Sequence, residues 1–176
     1  MKTAKYDFIR PVVVLMLICL VISTALAFTN EKTAPLIELA EKTKAETARK
    51  EVLPDADTFT QMELTGLPAT VTAVYKADNG VGYVLMITAK GYGGDMKLIC
   101  GIDSDGKIVA SRTLSHSETQ GLGSKTAEAG FRDQFAGKDA SLAGVEAISG
   151  ATISSKAYIG VIKDAFTAYD IAKGAE

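Results

Sequence analysis

Ala69-Thr70-Val71-Thr72-Ala73-Val74-Tyr75-Lys76-Ala77-Asp78-Asn79-Gly80-Val81-Gly82-Tyr83-Val84-Leu85-Met86-Ile87-Thr88-Ala89 decides the fold class. Val71, Ala73 and Tyr75 alternate with Thr70, Thr72 and Lys76, the period of a strand, and Asn79-Gly80 is a strong hairpin signal. The run 83–89 is almost wholly apolar, as expected of a strand covered on both faces. Gly91, Gly93 and Gly94 break it, residues 96–102 read as a third strand, Asp103-Ser104-Asp105-Gly106 as a turn, and residues 107–114 as a fourth strand. Short turns between consecutive strands make an antiparallel meander and argue against βαβ units and a Rossmann-type nucleotide fold. Gly91-x-Gly93-Gly94 lacks the spacing and following helix of a phosphate-binding fingerprint and reads as a turn.

Toward the C-terminus, His116-Ser117-Glu118-Thr119-Gln120-Gly121-Leu122-Gly123-Ser124-Lys125 follows the fourth strand. In the plain reading this is a strand-to-helix loop with His116 at the surface and Glu118 solvated; in the functional one Gly121 and Gly123 let the backbone approach a flat ring against which Leu122 packs. Residues 126–135 are expected to form an amphipathic helix stopped at Gly137, and 145–148 a short extended piece. Then comes Ser149-Gly150-Ala151-Thr152-Ile153-Ser154-Ser155, in which small residues allow a tight turn and place the Thr152 hydroxyl at or near a helix N-terminus. Unpaired first-turn N–H groups and the helix dipole make such a place suited to phosphate, with Ser154 and Ser155 as further hydroxyls; the plain alternative is an ordinary helix cap. Tyr158, Val161, Ile162, Ala165, Phe166 and Tyr169 then recur at spacings of three and four, the buried stripe of a helix.

Toward the N-terminus, residues 29–54 read as a helical stalk with a narrow apolar face, exposed or packed on a partner rather than in a core, bearing a Glu38–Lys42 pair and ended by Pro54 and Asp55-Ala56-Asp57. Residues 11–28 contain no charge, and 18 residues of helix span about 27 Å, enough for a hydrocarbon core. Lys2, Lys5 and Arg10 precede this stretch, offset in part by Asp7, so residues 1–10 are expected to be cytoplasmic, 11–28 a single-pass anchor in the cell membrane, and 55–176 an extracytoplasmic domain. A cleaved signal peptide is the competing reading, because Ala25-Leu26-Ala27 has the form of a cleavage site. Both export the domain.

The 176 residues are 47% hydrophobic and 23% charged, one globular domain plus a greasier segment. Outside the N-terminal flank, 16 basic residues face 20 acidic ones, with no basic run, which argues against nucleic acid as a partner. Cys19 and Cys100 lie in an apolar segment and a strand and are not expected to pair; with His116 the only histidine, neither an iron–sulfur site nor haem attachment is encoded. Any redox chemistry would use an organic cofactor.

Residues 149–155, with Lys156 and Ala157, resemble the flavinylation site of the FMN-binding domain family, roughly Ser-Gly-Ala-Thr-x-Ser/Thr, whose threonine carries FMN through a phosphoester. The segment 116–123 is similar to that family's His-x-Glu-Thr-Pro-Gly-Leu-Gly signature, with Gln120 where proline is usual, so the rigidity of that proline is not supplied. The two motifs stand in the family's order. The resemblance implies an α+β fold, an antiparallel meander packed with helices behind a transmembrane helix and stalk. It also implies covalent FMN on Thr152, with Ser149, Gly150, Ala151, Ser154, Ser155, His116, Glu118, Thr119, Gly121, Leu122 and Gly123 around it. Lys125 and Lys156 are candidates to balance the phosphate charge. The family's best-known members are the G subunit of the Rnf ion-translocating electron-transport complex, which this chain resembles more, and the usually longer C subunit of the sodium-pumping NADH:quinone reductase. By resemblance, the chain is expected to be an electron-relay subunit among other membrane subunits coupling ferredoxin and NAD to Na⁺ or H⁺ movement. A separate Mg²⁺-dependent flavin transferase using FAD would mature it. A hydrolase built on Thr152 or Ser154 with His116 and Glu118 lacks the Gly-x-Ser-x-Gly elbow. An anchored binding module without redox chemistry fits the same fold.

Overall fold

The computed structural model describes residues 3–175; Lys2, and the side chains of Lys5, Asp7 and Glu38, lie outside the described residues. Helix α1 (Thr3–Val52) begins the chain, which divides into two compact units, residues 1–43 and 44–176. In the first unit the helix is long and apolar enough to cross a membrane, and its large side chains from Val12 to Phe28 are exposed. Threonine hydroxyls along it bond back to the helix: Thr24 donates to the Leu20 carbonyl at 2.7 Å and Thr29 to that of Ala25 at 2.9 Å. No break in α1 separates the expected anchor from the expected stalk.

The second unit is built on a five-stranded sheet, β1 (Phe59–Met62), β2 (Val71–Ala77), β3 (Gly82–Lys90), β4 (Asp95–Asp103) and β5 (Ile108–His116), in sequential order and antiparallel throughout. The meander is the expected one with an additional edge strand. Phe-Thr-Gln-Met shows no alternation, and β1 is held by its register, Phe59 opposite Ala77 and Met62 opposite Val74, and by Thr58 and Thr60, which donate to the Asp78 carboxylate. The β2–β3 connection is a four-residue loop rather than the two-residue turn that Asn-Gly favours. Gly80, at φ +74°, donates its N–H to the Ala77 carbonyl, while the Asn79 amide turns away to the Asp55 carbonyl.

The 3₁₀ segments and short helix between the sheet and the C-terminus aside, one long helix, numbered α3 (Thr152–Gly174), covers one face of the sheet. Leu85, Ile87, Leu98, Cys100, Ile102 and Ile108 pack in one core with Tyr158, Ile162, Ala165, Phe166 and Tyr169. Burying each leucine, isoleucine or phenylalanine among them contributes roughly 1.5–3 kcal/mol, which is why a helix with this stripe ends on this sheet. The other face is covered by the end of α1, where Ala48, Val52 and Leu53 pack with Ala77, Val84 and Ile99. Against the expectation that residues 29–54 are exposed or packed on a partner rather than in a core, Ala45, Ala48 and Val52 at the end of α1 are core, and the compact unit starts at Lys44. Arg49 stacks on the Tyr75 ring at 4.0 Å, Glu51 pairs with Arg112 at 3.5 Å, and Lys44 donates to the Leu114 carbonyl. Gly101 makes this seat possible, since a Cβ there would lie 2.2 Å from the Val52 carbonyl oxygen.

The helix expected over 126–135 is broken into a 3₁₀ segment (Gly123–Ala127), a single turn α2 (Ala129–Arg132) and a 3₁₀ turn (Asp133–Phe135). Glu128 is extended at ψ 154°, which interrupts the i to i−4 ladder, and Gly130 follows within the next turn. Phe131 and Phe135 still reach the core, their rings 5.4 and 5.1 Å from that of Tyr158. Gly137 (φ +73°) ends the segment, and residues 145–148 form no strand.

Candidate functional site

Three separate pieces of chain converge at the start of α3. Ser149 and Gly150 form the turn, Gly150 at φ +82°, a conformation that glycine adopts without penalty. Ala151 is the N-cap and has no side chain able to cap; Thr152 is the first helical residue and exposed. The N–H groups of Thr152, Ile153 and Ser154 thus begin the helix with no carbonyl a turn earlier to receive them. Ser155 is fully buried and faces the other way: its Oγ donates to the Ala151 carbonyl at 2.9 Å and accepts from the Ile148 N–H at 3.1 Å. The two hydroxyls expected beside a phosphate therefore divide. Ser155 ties the turn together from inside, while Ser154 lines the cavity.

That cavity, about 420 Å³, within the range of small-molecule sites, is lined by Tyr92, Glu118, Thr119, Leu122, Gly123, Gly150, Ala151, Thr152, Ile153 and Ser154. The two motifs, distant in sequence, line one hollow. Its floor is a polar knot around Glu118, which is buried. The Glu118 Oε2 accepts from the Ser154 hydroxyl at 2.9 Å and from the Gly93 N–H at 3.3 Å, and the Glu118 N–H donates to His116 Nδ1 at 3.3 Å. Oε1 is buried without a hydrogen-bond partner. Glycines make room for this carboxylate: a Cβ on Gly91 would lie 1.7 Å from Oε1, and one on Gly123 2.1 Å from Oε2. Thr119 closes the loop, its carbonyl accepting from the N–H groups of Leu122 and Ser124, while Gly121, at φ +76°, donates to the Ser124 hydroxyl.

His116, Ser149, Gly121 and Ser155 stand outside the cavity lining, and Lys125 and Lys156 do not line it either. His116 Nδ1 accepts from the Glu118 N–H, and His116 is not among the residues that line the cavity with Thr152 and Ser154, so the geometry gives no support to a serine–histidine–acid arrangement. The residue that sequence reasoning missed is Tyr92, at the tip of the β3–β4 hairpin. Gly91-x-Gly93-Gly94 is a turn, with the Gly91 N–H donating to the Gly94 carbonyl, yet it also reaches the site through Gly93. Burial pushes the Cys100 thiol and the Tyr158 phenol each up to about 12, so neither is ionised at neutral pH. Among the described residues no cluster of metal-ligating side chains occurs.

The family model of the FMN-binding domain matches residues 91–167, a span that starts at the hairpin tip and takes in both motifs. The chain is 32% identical over 174 residues to the G subunit of the ion-translocating oxidoreductase complex of Methanosarcina acetivorans, covering 90% of this chain and 93% of that one. It is 34% identical over 172 residues to the G subunit of the Na⁺-translocating ferredoxin:NAD⁺ oxidoreductase complex of Acetobacterium woodii, covering 82% and 83%. To the G subunit of the proton-translocating ferredoxin:NAD⁺ oxidoreductase complex of Clostridium ljungdahlii it is 35% identical over 103 residues, 53% of this chain and 56% of that one. The cavity's helix N-terminus, exposed threonine and apolar walls fit a phosphate joined to a flat ring, and with these matches the chain belongs to the FMN-binding domain family, among relatives that are G subunits of ion-translocating oxidoreductase complexes.

Proposed function

We propose that this protein is a membrane-anchored electron-transfer subunit that carries FMN on Thr152 through a phosphoester and works in an Rnf-type ferredoxin:NAD oxidoreductase complex that moves Na⁺ or H⁺. The observation that carries the reading is the exposed Thr152 on the first turn of α3, in the lining of a cavity whose apolar side chains include Leu122, Ile153 and Tyr92. Bound FMN supplies one- and two-electron transfer; the chain supplies attachment and surroundings. The first-turn N–H groups and the dipole of a 23-residue helix oppose the phosphate charge, and the apolar side chains suit the ring. In attachment, the Thr152 oxygen would form a bond to the FMN phosphorus of FAD as the pyrophosphate bond breaks, AMP leaving and the hydroxyl proton passing to base on the Mg²⁺-dependent flavin transferase. A covalent bond keeps the cofactor where free FMN is not supplied, which agrees with a domain held outside the membrane by residues 11–28, the N-terminus inside. Relatives named as subunits of such complexes support other membrane subunits as partners.

Replacing Thr152 by alanine tests this. When co-produced with a flavin transferase, the wild-type chain should gain the mass of FMN less water and stay yellow after denaturation. Thr152→Ala should remain folded and colourless. A Thr152→Ala protein that kept denaturation-resistant flavin would refute the attachment.

A further inference from the structure

In the unit from residue 44 onward, the large hydrophobic side chains that stand exposed are Tyr92 at 74%, Leu122 at 50% and Ile153 at 59%, and all three line the same cavity. They come from three elements: the β3–β4 hairpin tip, the 116–123 loop and the start of α3. A single exposed apolar side chain needs no explanation, but three gathered on one hollow while the unit's other large apolar groups are buried or half-buried mark a surface meant to be covered by a ligand.

Tyr92 is the unexpected member. It is the one side chain in Gly91-Tyr92-Gly93-Gly94, and turn chemistry alone would favour Asn, Asp or Ser there. The tip is also fixed in place. Gly91 N–H donates to the Gly94 carbonyl at 2.9 Å, the Tyr92 N–H lies 3.5 Å from the Ser154 Oγ, and the Gly93 N–H donates to Glu118. A Cβ on Gly93 would lie 2.5 Å from the Ser117 carbonyl oxygen, so the glycine lets the tip seat against the loop. A hairpin tip clamped on two sides and carrying one aromatic ring at a cavity edge is a rigid platform for a second flat ring, because offset aromatic contact adds favourably to simple area burial.

We propose that Tyr92 covers one face of the isoalloxazine ring held at Thr152, with Leu122 and Ile153 flanking it. This rests on the attachment reading and adds to it a named contact and a spectroscopic consequence. A phenol against a flavin quenches its fluorescence: the photoexcited ring takes one electron from the tyrosine and returns it without emitting light, with no net chemistry. Phenylalanine keeps the stacking surface but is a far poorer donor.

The test compares the full-length wild type, Tyr92→Phe and Tyr92→Leu, each co-produced with the flavin transferase, by intact mass, visible absorption and flavin fluorescence per attached flavin. Tyr92 is exposed, so folding is spared. All three should carry flavin by mass; Tyr92→Leu should be several-fold brighter with shifted absorption bands, and Tyr92→Phe brighter with its bands near those of the wild type. Tyr92→Leu indistinguishable from the wild type in brightness and bands overturns the Tyr92 assignment while the attachment stands. A wild type without flavin overturns the attachment and, with it, this contact.

Discussion

Replacing Gly123 by alanine should damage the protein through Glu118 and not through the backbone of residue 123. An added Cβ would lie 2.1 Å from Glu118 Oε2 and 2.9 Å from Ser154 Oγ, well inside contact distance, and no positive φ is involved. The cheapest relief is to push the carboxylate aside, because it is the end of a flexible side chain, whereas the loop backbone is fixed by Thr119. That sacrifices the bonds from the Ser154 hydroxyl and the Gly93 N–H, at about 1 kcal/mol each. The sum, about 2 kcal/mol, corresponds to a fall in Tm of roughly 4–8 °C for a chain of this size. Glu118→Ala removes the same two bonds and the obstructing group together. In a Glu118→Ala background the Ser154 hydroxyl, released from the carboxylate, can rotate away from the new Cβ, and Gly123→Ala should therefore cost under about 0.5 kcal/mol, a strong departure from additivity. Gly121 is the control. It sits at φ +76° with nothing within 4 Å of a built Cβ, so Gly121→Ala should cost about 1–2 kcal/mol of backbone strain whether or not Glu118 is present. Thermal unfolding of the single and double variants in detergent decides the matter; additive losses for Gly123 and Glu118 would refute the account of the site as a knot around one carboxylate.

Two further outcomes concern the N-terminal half. A chain starting at residue 44 should unfold cooperatively, whereas one starting at Asp55 loses Val52 and Leu53, 0% and 2% exposed, and uncovers Val84 and Ile99, a loss of up to roughly 3–6 kcal/mol, to be read from urea midpoints; equal midpoints would dismiss the role given to α1 in the core. The apolar helix should stay on the mature protein as its anchor, so N-terminal sequencing of membrane-derived protein should not begin at Phe28; a start there would replace the anchor by a cleaved signal peptide.

The meander was legible because strand period, Asn-Gly and Asp-Ser-Asp-Gly are local signals, and α3 because its stripe repeats at helical spacing from Tyr158 to Tyr169. What was lost lay where tertiary contact overrides local pattern. Phe59-Thr60-Gln61-Met62 becomes a strand only because β2 offers an edge, and 126–135 breaks because Glu128 goes extended. The end of α1 looked solvated because Ala45, Ala48 and Val52 make a thin apolar line among charges; a thin line suffices where Gly101 lets the helix backbone touch the sheet.

The site was legible in its motifs and hidden in its directions. Sequence placed Ser154 and Ser155 side by side as equivalent hydroxyls, but a helix turns about 100° per residue, and one is cavity wall while the other is a brace. Glu118, between Ser117 and Thr119 in a loop, could be read either as solvated or as part of the cofactor site, and nothing local said that it would be buried. What makes room for it is glycines from two distant stretches, Gly91 and Gly93 in the hairpin and Gly123 in the loop, serving as absences of Cβ, while Gly121 and Gly150 serve as carriers of positive φ. Those two uses are identical in a sequence and separate only when the neighbours are known. The hairpin glycines could thus be read correctly as a turn and still conceal that the turn grips the carboxylate and, on this geometry, holds Tyr92 over the cavity beside the threonine.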